Sequence, residues 1–413
     1  MQTFIKGKIL KLTCILLAFI EALGINTSFL KKKPDAQWNT NYTYVFFHGV
    51  IGWGDYNPLF RKYLPYYGLL SYDVCDYLEM NGFDCCTVSN SILRGTWDRA
   101  CEAYAQLTGT RVDYGEAHSK EHHHERYGKD YSKNPLVKNW NSENKINIVG
   151  HSFGGEAVRM FLELLANGSE KERETTTDGT LSSLFEGGKA DWVYSLTALS
   201  TPLNGTSLME CRNNFDEIFD NALKNDNDIY FTNEIENSSS LAFSKIMKSF
   251  LKLASDMTKM GECSSAYELS VDGAVEMNRH IGFENNVYYI SRPTSVTEKD
   301  KFSNYQVPRI TTDSALWMSS YYMGRTLCTT EGGYVIDKSW LENDGLVNTI
   351  SEIAPFDDKY KNVELNAEEI EYGRWNTLPV VKCAHTEVVG GLFKVDDIRA
   401  YYYDLCDMIN KIK

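Results

Sequence analysis

The stretch "GHSFG", Gly150–Gly154, sets Ser152 in a Gly-x-Ser-x-Gly frame. A β-favouring apolar run, Ile146–Val149, precedes it. Ala157, Val158, Phe161, Leu164 and Leu165 follow at helical spacing. On a sharp strand-to-helix turn a serine hydroxyl stands clear of the sheet edge, and flanking glycines avoid side-chain clashes. The chemistry available there is attack on a carbonyl carbon, leaving an acyl group on the serine. A serine that merely shapes a turn is the plainer alternative, and the strand-then-helix context argues against it.

A serine hydroxyl is a weak nucleophile without a base, and the base needs an acid to hold it. On this type of turn the partners follow in chain order, acid and then histidine. Downstream of Ser152 the histidines are His280 and His385. His280, in "MNRHIGF", ends a predicted helix, where a histidine is usually a polar cap. His385, in "VVKCAHTEVVGG", falls on a loop near the carboxyl end and is the better base. Carboxylates are too numerous to choose by position. Asp344, in "WLENDGLVN", stands out because Asn-Asp-Gly makes a tight turn that can aim a carboxylate. The oxyanion formed on attack needs two backbone N–H donors. Phe153, next to the serine, supplies one. Val50, in "HGVIG" after the first strand, supplies the other.

A second concentration of reactive groups is "DYGEAHSKEHHHERYG", Asp113–Gly128, with four of the eight histidines. His118 and His122 lie four apart, on one face if the segment is helical. A solvated charged turn is the alternative reading. Spacing does not decide between them.

These groups need a scaffold. Tyr42–Phe47, Ile146–Val149, "DWVYSLTALSTP" and "NNVYYIS" read as short strands buried on both faces, separated by helical patterns. That rhythm predicts an α/β fold with a mostly parallel central sheet. Two segments break it. One is the polar stretch of about 95–138. The other, about 207–262, carries two amphipathic stripes, Phe215 to Leu223 and Phe243 to Met257, parted by a polar joint.

The chain of 413 residues can bury a large core, and its net charge of −14 argues against nucleic acid and anionic lipid as electrostatic partners. No stable protein partner is evident. Residues 1–24 have the layout of a signal peptide: Lys6, Lys8 and Lys11, then an apolar run, then Ala22 and Gly24. Residues 25–413 are then the mature domain, secreted or held in a secretory lumen. The alternative is an N-terminal membrane anchor, against which Glu21 interrupts the apolar run. Export would make sequons of Asn26, Asn41, Asn167, Asn204 and Asn237. It would also leave an odd count of nine cysteines, with Cys211 and Cys263 the candidate pair.

Taken together, "FFHGVIGWG", "WDRACEAYAQLTGTRVDYGEAH", "VGHSFGGEAVRM", "YELSVDGA" and "WLENDGLVNT" resemble the bacterial true lipases of the thermophilic Geobacillus type, relatives of the staphylococcal lipases. The resemblance implies an α/β-hydrolase fold and hydrolysis of acylglycerol esters at a lipid–water interface. It implies Ser152, Asp344 and His385 as the triad, Val50 and Phe153 as oxyanion donors, and a helical lid at about 207–262. It also implies a structural zinc ion on Asp98, His118, His124 and Glu268, in an insertion at about 95–138. Glu268 stands where the family has aspartate. The family's calcium site would use Glu387, but its second ligand position reads Leu392 and the loop is one residue shorter. An acyltransferase, a phospholipase or a general carboxylesterase would use the same triad, and a catalytically silent binding protein would keep the fold.

Overall fold

The computed structural model describes residues 37–69, 72–210, 264–310, 312, 314–390 and 398–413. Residues 1–24, nearly all of the expected lid, and both Cys211 and Cys263 lie outside the described residues.

Seven strands form one sheet: β1 (Thr43–Phe47), β2 (Cys85–Val88), β3 (Ile146–His151), β4 (Val193–Leu199), β5 (Tyr288–Arg292), β6 (Tyr360–Asn362) and β7 (Trp375–Thr377). Their order is β6-β7-β5-β4-β3-β1-β2, and every pairing is parallel. The expected α/β architecture with a mostly parallel sheet is what the chain adopts. β1, β3 and β4 are buried along almost their whole length and are rich in apolar residues because both faces of the sheet are covered.

One face carries the helices α1 (Thr96–Thr108) and α3 (Phe153–Asn167). Ala157, Val158, Phe161, Leu164 and Leu165 of α3 are buried in one cluster with Val45, Ile148 and Leu196. The larger of these side chains contribute roughly 1.5–3 kcal/mol each by leaving water. The other face carries α4 (Ile398–Asn410), whose Tyr402, Leu405 and Ile409 pack against Tyr44, Phe46 and Ile290.

The polar segment of about 95–138, which breaks the strand–helix rhythm of the sequence, opens with the core helix α1. Ala100, Ala103 and Leu107 place α1 in the main core. Its charged residues had masked that face. The remainder is α2 (Glu116–Glu121) and a two-stranded hairpin of Arg111–Asp113 with Tyr127–Asp130. Among the described residues no helix is long and apolar enough to cross a membrane.

Candidate active site and metal group

Ser152 joins β3 to α3 with φ 57° and ψ −134°, a conformation non-glycine residues seldom take. The glycines around it are steric necessities. A Cβ on Gly154 would stand 2.3 Å from the Phe47 carbonyl oxygen, and one on Gly155 would lie 1.9 Å from Thr201 Oγ1. Neither strand β1 nor the loop after β4 could come so close to a bulkier helix start.

The loop after β1 lies beside the serine. A Cβ on Gly49 would be 3.0 Å from Ser152 Cβ. Fully buried Arg99, from α1, donates through Nη1 to the carbonyls of His48 (3.1 Å) and Gly49 (3.3 Å) and through Nη2 to Ile92 (3.2 Å). With those carbonyls drawn back toward the guanidinium, the Val50 and Phe153 N–H groups have no backbone acceptor among the described residues. Burial, with Arg99 adding to it, lowers the His48 imidazole to about 3. Its Nδ1 donates to the Gly49 carbonyl (2.8 Å) and its Nε2 accepts from Asn90 N–H (3.0 Å), as the neutral ring requires.

Asp344 and His385 meet as expected: His385 Nδ1 donates to Asp344 Oδ2 at 2.6 Å, with both side chains buried. The Asn343-Asp344-Gly345 turn aims the carboxylate, whose Oδ1 accepts from Leu346 N–H (2.9 Å) and Val347 N–H (2.7 Å). Burial alone would raise this carboxyl. The His385 imidazole and the two N–H groups outweigh that and hold it below the usual range. Ser152 Oγ makes no hydrogen bond to His385 in this state, and such contacts often tighten only around substrate.

The Gly49 loop and the His385 loop are tied together through His151. Gly49 N–H donates to Tyr66 Oη (2.9 Å), and Tyr66 donates to His151 Nδ1 (2.8 Å). His151 Nε2 donates to the His385 carbonyl (3.0 Å). Burial, helped by His385, lowers the His151 imidazole to about 3, so the ring stays neutral. Sequence reasoning missed Tyr66, His151 and Arg99 as site residues. "GHSFG" does hold His151, but nothing local shows that its ring braces a loop 234 positions away. His280, the other candidate base, ends the helix Val271–His280 on the surface, as a polar cap would.

The second group is Asp98, His118 and His124, whose donor atoms all lie within 4.8 Å of one another. Asp98 Oδ1 is 3.1 Å from His118 Nε2 and 3.7 Å from His124 Nε2, while Asp98 Oδ2 accepts from Arg94 Nη1 (2.7 Å). His124 Nδ1 sits 2.9 Å from the Glu125 carbonyl and must carry the ring proton there. Its Nε2 lone pair is then buried, without a hydrogen-bond partner, and turned toward a carboxylate oxygen. A cation between two imidazole nitrogens and a carboxylate would satisfy all three, and this donor set suits Zn²⁺. The residues present fit the metal. His122, favoured by helical spacing, has its ring 4.5 Å from that of His118 but falls outside the group.

Glu268 departs from expectation. Its Oε2 accepts from Thr96 N–H (2.7 Å) and its Oε1 from Thr96 Oγ1 (3.1 Å), so it caps α1 from a distance. Burial raises it to about 8. The group of Asp98, His118 and His124 does not include it. Glu387 accepts at Oε2 from the Ala384 N–H (3.1 Å), and Leu392 lies outside the described residues.

Residues 40–412 match the family model described as "Lipase-like, C-terminal domain". Lipase 1 of Staphylococcus aureus (strain MRSA252) is 31% identical over 372 residues, covering 87% of this chain and 52% of that protein. A lipase of Staphylococcus epidermidis is 29% identical, over 84% of this chain and 50% of its own length. The chain thus spans about half the length of the curated relatives it matches. Among solved structures, EstA from Clostridium botulinum is 29% identical with a TM-score of 0.73, covering 91% of this chain and 88% of its own. Lipase 1 from Pelosinus fermentans is also 29% identical, with a TM-score of 0.71 and coverage of 90% and 99%. The Staphylococcus hyicus lipase, 24% identical over 92% of this chain and 98% of its own, shares the fold with a TM-score of 0.71. The α/β-hydrolase sheet, the strained serine turn and the match along nearly the whole described chain agree, and the chain belongs to the lipase-like C-terminal domain family.

Proposed function

We propose that this protein is a lipase, hydrolysing carboxylic ester bonds of acylglycerols through an acyl group carried on Ser152. The observation that supports the reading is Ser152 at φ 57° on the turn beside the Gly49 loop, next in the chain to His151, whose ring lies 4.8 Å from that of His385, itself paired with buried Asp344. His385 takes the serine proton through Nε2 while Asp344 holds Nδ1–H and steadies the imidazolium. Val50 and Phe153 N–H groups receive the developing oxyanion. The leaving alcohol takes the proton back, and water, activated by His385, releases the fatty acid. Ile51 and Ile92 are 44% and 46% exposed beside the oxyanion loop, an apolar rim suited to acyl chains.

Asp98, His118 and His124 would hold a zinc ion, which would pin α2 and the hairpin onto α1. The ion's role in this reading is structural, since none of the proposed catalytic residues belongs to the group. Export, with lipid esters met outside the cell, accords with the leader-like first 24 residues. The test is Ser152→Ala assayed on p-nitrophenyl esters and on a triacylglycerol emulsion. Turnover should vanish on both while thermal stability is kept. Full residual turnover by the variant would end the proposal.

A further inference from the structure

A second carboxyl group stands behind the Asp344–His385 pair. Glu352, on the short turn Thr349–Glu352, is 1% exposed and lies with Asp344 and His385 in one group whose polar atoms fall within 4.8 Å. Thr294, just past β5, bridges the two acids. Its Oγ1 is 2.9 Å from Asp344 Oδ2, 3.0 Å from Glu352 Oε2 and 2.9 Å from Ser200 Oγ.

The hydrogens can be counted. The Thr294 hydroxyl has one, so only one carboxylate can receive it. Asp344 is already the better supported anion, with two backbone N–H groups and the imidazole N–H. Glu352 has the Thr294 backbone N–H on Oε2 (2.5 Å), and its buried Oε1 has no donor at all. Among the described residues no cation is paired with it. Arg292 lies over the Tyr401 ring at 4.0 Å, and its Nε and Nη1 reach no acceptor. Two anions this close in a dry site cannot both persist, and the less supported one keeps the proton.

Resting on the triad reading above, we infer that Glu352 is a positioning residue. It is a neutral carboxylic acid that offers its hydrogen to the Asp344–Thr294 pair and fixes the Asp344 carboxylate toward His385 without adding a second negative charge. A second anion behind His385 would hold the imidazole protonated in the resting enzyme and unfit to act as a base. Among the described residues, the titratable groups facing Glu352 are Asp344, His385, Tyr401 and Cys383, and Arg292 acts on the last two of these. Burial, then Asp344, pushes the Glu352 carboxyl up, in keeping with the hydrogen count.

Two variants and one spectrum test this. Glu352→Gln keeps a neutral donor, so kcat/KM should stay within about twofold of wild type and its acid limb should not move. Glu352→Leu removes the donor and should lower kcat about tenfold with KM unchanged. The infrared difference spectrum of wild type minus Glu352→Gln at pH 7 should show the carbonyl band of a protonated carboxyl group. Carboxylate bands in that spectrum would overturn the inference. So would a Gln variant as impaired as the Leu variant, or a Leu variant with wild-type kcat. If Glu352→Leu fails to fold, the Gln variant and the spectrum still decide. The spectrum needs no turnover, so it stands apart from the Ser152→Ala test, whose failure would strike the triad alone.

Discussion

Acid should weaken this fold through His151, by an amount that can be worked out. The ring is buried and neutral, accepting from Tyr66 and donating to the His385 carbonyl. An unfolded chain titrates its histidines near ~6.5, whereas this ring stays neutral down to about 3. The folded value is depressed, so the unfolded chain binds the extra proton. The stability is present above the unfolded value and is lost as pH falls toward the folded one. Between pH ~7 and ~5 the linkage integral gives a loss of roughly 2 kcal/mol for this one ring. His48, lowered to about 3 as well, adds a similar amount. Wild-type stability by itself would mislead, because Glu268, raised to about 8, gains a proton on folding over the same interval and pushes the other way. The comparison with His151→Gln removes that background. Urea unfolding at the two pH values should show the wild type losing roughly 2 kcal/mol more than the variant. Equal losses would refute the reasoning, since they would mean that His151 titrates alike in the folded and unfolded chains.

Other consequences follow from the metal group and the helix cap. With free zinc at about 100 times its Kd, binding should add roughly 2.7 kcal/mol of stability, lost to a chelator and absent in His124→Ala. Calorimetry with and without chelator checks this, and a chelator without effect on wild type would remove the zinc reading. Glu268→Ala should cost about 1 kcal/mol through the lost cap at Thr96 while leaving metal stoichiometry unchanged. A fall in bound zinc, measured by elemental analysis, would show instead that Glu268 turns to the metal.

What was legible in the sequence was whatever short-range pattern encodes. β1, β3, β4 and β5 were readable because a doubly covered parallel strand is a plain apolar run. The Ser152 turn was readable because it demands glycines at fixed offsets, whereas Asp344 stayed one carboxylate among many, favoured by its Asn-Asp-Gly turn but singled out only through the family resemblance. α1 was hidden by its own chemistry: Asp98, Arg99 and Glu102 are buried charged residues on a core helix, so its pattern looked polar. The same residues anchor the metal group and the oxyanion loop. Groups that act across long separations left no local trace. Tyr66 with His151, and Thr294 with Glu352, became partners only when the sheet brought their loops to one edge. Glu268, which the family resemblance implies as a ligand, accepts here from Thr96 at the start of α1, a long-range contact that no local pattern announces.

The central claim is that Ser152 is a nucleophile activated by His385, and a serine-directed fluorophosphonate tests it most directly. Intact mass should show one label per wild-type chain, peptide mapping should place it on Ser152, and Ser152→Ala should take up none. Labelling should slow sharply in His385→Ala. A wild-type protein that stays unlabelled, or one labelled equally well in Ser152→Ala, would contradict the account.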